Sequence, residues 1–177
     1  MEIIKKMLFE NQDIKYKEFN SKLIPNINKE KIIGVKMPIL KKIAKELKDK
    51  DYIEDFLNEL PHTYNEENIL HGIILTLKYQ DIDTLLDKLN IFLNYTDNWA
   101  IIDSVSPKLF KKYPSKVYKQ IKLWLNSKNE YVIRFGIVSL LKFYLDDNYQ
   151  EEILEIVMNI KSVTIKGEFF SNPVEWE

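Results

Sequence analysis

Along the chain, apolar residues recur at intervals of three and four, and no stretch alternates cleanly with period two. Residues 2–9 read as a short amphipathic helix, and residues 13–24 carry Ile14, Tyr16, Phe19 and Leu23 at helical spacing. A loop through Pro25 and Gly34 leads to "MPILKKIAKEL", with Pro38 in the first turn and Ile39, Leu40, Ile43 and Leu47 as its stripe. "DYIEDFLNEL" is stopped by Pro61, and "NEENILHGIILTLKY" reads as a helix capped by Asn65 with acids in its first turn. "DIDTLLDKLNIFLNY" is capped by Asp81, and "TDNWAIIDSVSP" opens the next helix with Thr96 or Asp97 as its cap. Ser106-Pro107 reads as a cap and first-turn proline that restart the chain as "KLFKKY". Tyr113-Pro114 repeats the device before "SKVYKQIKLWLN". A polar turn from Asn126 to Asn129 precedes "EYVIRFGIVSLLKFYL", and "NYQEEILEIVMNI" completes the set.

This pattern predicts an all-α chain of about ten helices of roughly 8–16 residues, in pairs recurring about every 35 residues. HEAT-like α-solenoids are built in this way; a globular helical bundle is the other arrangement the pattern allows. One domain over residues 1–177 is expected, since a chain of 177 residues can bury a core of its own. Residues 161–177 break the pattern: Gly167, Pro173 and the adjacent Phe169 and Phe170 show no helical periodicity, so an irregular tail is expected there.

Composition narrows the chemistry. There is no cysteine, which removes disulfides and thiolate metal sites, and only His62 and His71 are available as imidazole ligands. No metal and no cofactor are therefore expected. With only 4 glycines, a Gly-rich phosphate loop is excluded as well. No apolar run approaches the ~18 residues that span a bilayer. "MEIIKKMLFENQ" is too short and too charged for a secretory signal. The expectations are a cytoplasmic location, no membrane partner and a monomer.

The formal net charge of −1 hides a segregated distribution. Residues 1–50 hold 13 lysines against 7 acids, and residues 105–142 hold 9 basic residues against 1 acid. The intervening residues 51–104 hold 2 lysines against 11 acids, and residues 143–177 hold 2 against 8. A fold that gathered the two basic blocks would present a positive surface, to which a phosphate backbone responds more than to net charge. Charged runs are also what solvated helix faces look like.

Three constellations carry candidate chemistry. Trp99 and Asp103 stand four apart, so an indole and a carboxylate share one helix face. They suit either a cleft that stabilises positive charge or a core tryptophan beside a bridging aspartate. Arg134 is the only arginine, set between Ile133 and Phe135, where a planar fork suits a carboxylate or a phosphate. Lys36, Lys41, Lys42 and Lys45 in one basic block, and Lys108, Lys111, Lys112, Lys116 and Lys119 in the other, could line a groove that tracks a backbone. His71 beside Gly72 reads as packing.

These residues also carry a resemblance. "IIGVKMPILKKIAKEL" resembles the first motif of the AlkD-type DNA alkylation repair family, and "NEENILHGIILTL" its second. "TDNWAIIDSVSPKLF" is similar to the family's Trp-x-x-x-Asp segment, and "WLNSKNEYVIRFGIVSLL" resembles its arginine-bearing helix. The four fall in family order across residues 30–145. The resemblance implies a HEAT-like solenoid that holds double-stranded DNA on a concave basic surface and releases purines alkylated at N3 or N7. It also implies that Trp99 and Asp103 are the catalytic-cleft tryptophan and aspartate, and Arg134 the cleft arginine. Two departures stand out. The family's second tryptophan lies on a later helix, but here "KSVTIKGEFFSNPVEWE" follows Ile160 and leaves Trp176 in no matching context. Tyr131 also stands where a tryptophan is common. A non-catalytic scaffold that binds DNA structures or another protein is the alternative.

Overall fold

Several helices of this chain begin where the sequence supplies a side-chain acceptor or a proline. The computed structural model describes residues 2–145 and 151–158. Among the described residues are ten α-helices and no strand: α1 (Glu2–Glu10), α2 (Ile14–Leu23), α3 (Met37–Leu47), α4 (Ile53–Asn58), α5 (Asn65–Lys78), α6 (Ile82–Leu93), α7 (Trp99–Ser104), α8 (Pro114–Leu125), α9 (Glu130–Phe143) and α10 (Glu151–Met158). Two 3₁₀ turns, Lys29–Lys31 and Lys108–Lys112, join them. Asp13, Asp81 and Asn129 accept from the backbone N–H groups of Tyr16, Thr84 and Tyr131, satisfying donors that the first turns of α2, α6 and α9 leave orphaned. Pro38 and Pro114 occupy first-turn positions, where a missing N–H costs nothing.

The boundaries depart from the periodicity at four places. The cap of α5 is Tyr64, because the Glu67 carboxylate reaches back to the Tyr64 N–H at 2.9 Å and draws Asn65 into the first turn. The cap of α7 is Asn98, one residue beyond the expected pair; its side chain accepts from both Ala100 and Ile101. Pro107 precedes a 3₁₀ turn, not an α-helix. Both α4 and α7 run only six residues, shorter than expected. Val105 turns extended after α7, and Pro107 bars Ser106 from helical conformation. The expected irregular tail, residues 161–177, lies outside the described residues, as does Trp176.

The helices form an all-α, HEAT-like helical-repeat fold. α3 packs on α5, α5 on α7 and α7 on α9, so one layer is assembled in chain order. α6 backs α5 and α8 backs α9 to make the second. Phe56, Phe92, Phe110 and Phe135 are fully buried in the shared core, each contributing roughly 1.5–3 kcal/mol of hydrophobic stabilisation. Gly72 lets the layer close: a Cβ there would lie 2.5 Å from Val105 Cγ2, just past the end of α7.

α5 is buried continuously from Asn65 to Leu75, including its polar residues. Glu66 explains why. Its carboxylate, with no solvent exposure, accepts the backbone N–H groups of Ile33 at 2.9 Å, Gly34 at 2.7 Å and Val35 at 3.4 Å. A charge can be buried when backbone donors replace its hydration shell. Gly34 is required in that loop, since its φ of +96° disfavours side chains and a Cβ would strike the Asp13 carbonyl. The acidic pair at the head of α5 is thus structural, with Glu66 clamping the loop and Glu67 starting the helix.

His71 is core, stacked on Phe92 at 4.5 Å, with its Nδ1 2.9 Å from His62 Nε2. His62 in turn stacks on Phe56 at 4.3 Å. Burial pushes the His62 imidazole down to about 4, and burial likewise holds His71 well below the usual value.

Replacing Glu66 by Ala should destabilise the fold by about 3–5 kcal/mol, because it leaves buried donors without an acceptor. A urea midpoint that drops at constant m-value is the check. The histidine pair gives a pH dependence of definite sign. Above pH 6.5 both states hold neutral imidazoles, and as pH falls toward 4 only the unfolded chain gains the proton. Stability should therefore fall across that window, by roughly 3 kcal/mol from His62 alone. The melting temperature of a His62→Leu/His71→Leu variant should be less sensitive to pH over the same range.

Candidate active site

On α7 the phase of the helix separates neighbours in sequence. At about 100° per residue, Trp99 and Asp103 lie within about 40° of each other, while Ile101 points to the opposite side and Ile102 to the flank. Ile101 and Ile102 are fully buried, whereas Trp99 is 38% exposed and the Asp103 side chain 35% exposed. The aspartate therefore stands at the surface, although its sequence neighbours are core.

On α9, Tyr131, Arg134, Val138 and Lys142 form one stripe at spacings of three and four. Arg134 meets Asp103 as a fork: its Nε donates to Oδ1 at 3.0 Å and its Nη2 to Oδ2 at 2.7 Å. Such parallel charge-assisted bonds fix the carboxylate plane, which a lysine could not do. Lys142, two helical turns further on, donates from Nζ to the Asp103 backbone carbonyl at 3.0 Å. Asp103 is thus held by its side chain and its main chain from two points on one helix. Burial draws the Lys142 amine below the usual lysine value; Asp103 opposes that shift, and Lys41 on α3 adds to it.

Trp99 is fixed from the other side. Its indole N–H donates to the Leu23 carbonyl at the end of α2, at 3.2 Å. With its single donor engaged, the ring offers only its faces to a ligand. Asn26 adds two links, from Nδ2 to the Asp97 carbonyl at 2.8 Å and to the Tyr131 hydroxyl at 3.4 Å. Burial raises the Tyr131 phenol, and Glu130 and Asp97 raise it further. Beneath the site, Asn98 caps α7 and donates to the Asn65 side-chain oxygen at 2.9 Å, joining α7 to the head of α5.

The fold thus brings Trp99, Asp103 and Arg134 to one place. It distributes the candidate lysines more widely. Lys41, Lys42 and Lys45 are exposed on α3, in the same layer as α7 and α9. Lys36 pairs with Asp13 at 2.8 Å. Lys108, Lys111 and Lys112 are exposed on the 3₁₀ turn, and Lys119 is exposed on α8. Lys116, also on α8, is bound to Asp83 of α6 at 2.6 Å. Sequence reasoning missed Lys142, Asn26 and Asn98. Only Lys142 left a signal, standing eight residues beyond Arg134 on the same helical stripe.

No group of three or more His, Cys, Asp or Glu among the described residues could hold a metal ion. None of the described helices is long and apolar enough to cross a membrane. The described side chains offer a fixed carboxylate, an exposed aromatic face and several cations. Together these suit stabilisation of positive charge next to a polyanion.

A protein-family model described as DNA alkylation repair enzyme matches residues 4–170, a span that includes Trp99, Asp103 and Arg134. No curated protein and no solved structure matches the chain.

The Asn98 side chain serves two helices, so Asn98→Ala should cost about 2–3 kcal/mol, more than an isolated cap. Chemical denaturation measures it. A loss of only about 1 kcal/mol, that of an isolated cap, would mean that the Asn65 link contributes nothing.

Proposed function

The chain belongs to the DNA alkylation repair enzyme family, and from that premise we propose that it is a monofunctional DNA glycosylase releasing purines alkylated at N3 or N7. The observation that supports this reading most is the forked hold of Arg134 on a surface carboxylate beside an exposed tryptophan.

Alkylation at N3 or N7 makes the purine cationic, so the electron pair of its bond to C1′ is already drawn toward the ring. As that bond breaks, the pair returns to the base, which leaves neutral without needing a proton. Positive charge then develops on the sugar, and a water oxygen adds to C1′, releasing its proton to the carboxylate or to solvent. Asp103 is the group that stabilises this charge and positions the water. A unit charge at 4 Å, with an effective dielectric constant near 20, is worth about 4 kcal/mol, or about three orders of magnitude in rate. Arg134 offsets part of that field in exchange for a fixed orientation. Each carboxylate oxygen keeps a further lone pair for the water. The Trp99 ring supplies a polarisable face for the deoxyribose or the cationic base. The exposed lysines hold the duplex through its phosphates.

Asp103→Asn tests the assignment. Release of 7-methylguanine and 3-methyladenine from alkylated duplex should fall by at least about 100-fold, with binding of the same duplex little changed. A fully active variant would end the catalytic role of Asp103. Wild-type protein that binds duplex yet releases neither base would leave a DNA-binding scaffold as the function.

A further inference from the structure

α2 is oriented the wrong way round for a surface helix. Ile14, Lys15, Glu18, Phe19, Lys22 and Leu23 form its exposed half, while Tyr16, Lys17, Asn20 and Ser21 are half-buried toward the protein. Lys17 lies so close to the loop before α3 that a Cβ on Gly34 would come within 2.7 Å of the Lys17 Cβ. An amphipathic helix ordinarily buries its apolar stripe and leaves its polar residues to water. Here Ile14 is 59% exposed, Phe19 57% and Leu23 38%. Phe19 and Leu23 are one turn apart, and the Tyr16 ring centroid stands 6.4 Å from that of Phe19, so the three make one apolar patch. Grouped apolar side chains on a surface mark a contact site, whereas single ones do not.

The charges on the same half of α2 decide what it touches. Glu18 is the only acid there, and Lys29 holds it at 2.5 Å. Among the described residues neither Lys15 nor Lys22 has a carboxylate within ion-pairing distance, so the face is apolar and cationic together. A second copy of α2 would bring the same cations against these and be repelled. A nucleic-acid strand complements both features, since its phosphates alternate with the apolar surfaces of sugars and bases. The patch also adjoins the candidate site, because the Leu23 carbonyl holds the Trp99 indole N–H at 3.2 Å. Resting on the reading of this chain as a DNA-binding repair enzyme, we propose that α2 is a separate DNA contact, in which Phe19 and Leu23 lie against the sugars and base edges of the duplex next to the nucleotide presented to Asp103. This contact differs in kind from the hold of the lysines on phosphates. It acts by burying apolar surface, which salt does not screen.

Binding of the full chain to a duplex bearing a tetrahydrofuran abasic site, followed by fluorescence anisotropy between about 50 and 200 mM salt, separates the two kinds of contact. Phe19→Ala and Leu23→Ala should each weaken binding by at least about 5-fold at every salt concentration, with the slope of log affinity against log salt unchanged. Leu123→Ala, which removes an apolar side chain that is 66% exposed on α8, should alter neither quantity. The Phe19 side chain stands at the surface, so its truncation leaves the fold intact. Wild-type affinity in both α2 variants overturns the contact and leaves the repair reading in place. A slope made shallower by about 0.9 in Phe19→Ala would assign the effect to a phosphate and likewise overturn an apolar contact. Wild-type protein that binds no duplex removes the DNA-binding reading and the α2 contact with it. A wild-type dimer in sedimentation that Phe19→Ala makes monomeric would give the patch to a second copy, which also overturns the proposal.

Discussion

One buried carboxylate organises this fold. Glu66 draws three backbone N–H groups of the loop before α3 onto the head of α5, and the rest of the layer is referenced to that point. The loop carries α2 through the bond between the Asp13 N–H and the Gly34 carbonyl. α5 then sets α7 through the Asn65–Asn98 bond and through the close approach at Gly72. α7 delivers Asp103 to α9. A charge buried without donors would cost several kcal/mol; here its requirement for partners is what fixes the geometry.

The candidate site repeats that logic near the surface, with a different balance. Asp103 and Arg134 remain partly solvated, so their attraction is screened and adds little to stability. What the fork provides is direction. It sets the carboxylate plane, while Lys142 sets the backbone below it. The single arginine of the chain thus occupies a position where planarity matters, and the lysines occupy positions where charge alone suffices.

Much of this was legible from residue order. The helical period is strong, and Pro38, Pro114, Asp81 and Asn129 mark helix starts because their chemistry acts locally. The proximity of Asp103 and Arg134 could be inferred only from the family resemblance, since 31 residues separate them and no local rule joins α7 to α9. The role of Glu66 was not legible. It depends on a loop more than 30 residues upstream, and an acid in a first turn usually reads as a dipole or capping residue. Asn98 was displaced by Thr96 and Asp97, equally good caps in isolation; the Asn65 side chain across the layer engages the third. Asn26 gave no signal, because its partners are a backbone carbonyl in the loop before α7 and a hydroxyl on α9.

α2 buries none of its ten residues, and it meets the rest of the chain through hydrogen bonds and ion pairs at its ends. A segment with so little apolar burial belongs to the low-stability end of the native ensemble, where amides exchange through small openings without global unfolding. Yet the carbonyl that orients Trp99 belongs to its last residue, Leu23. The hydrogen bond that orients the indole is therefore lost whenever α2 opens. The tryptophan face thus shares in the opening of a helix that buries no side chain, and fluctuations of α2 are felt at the candidate site.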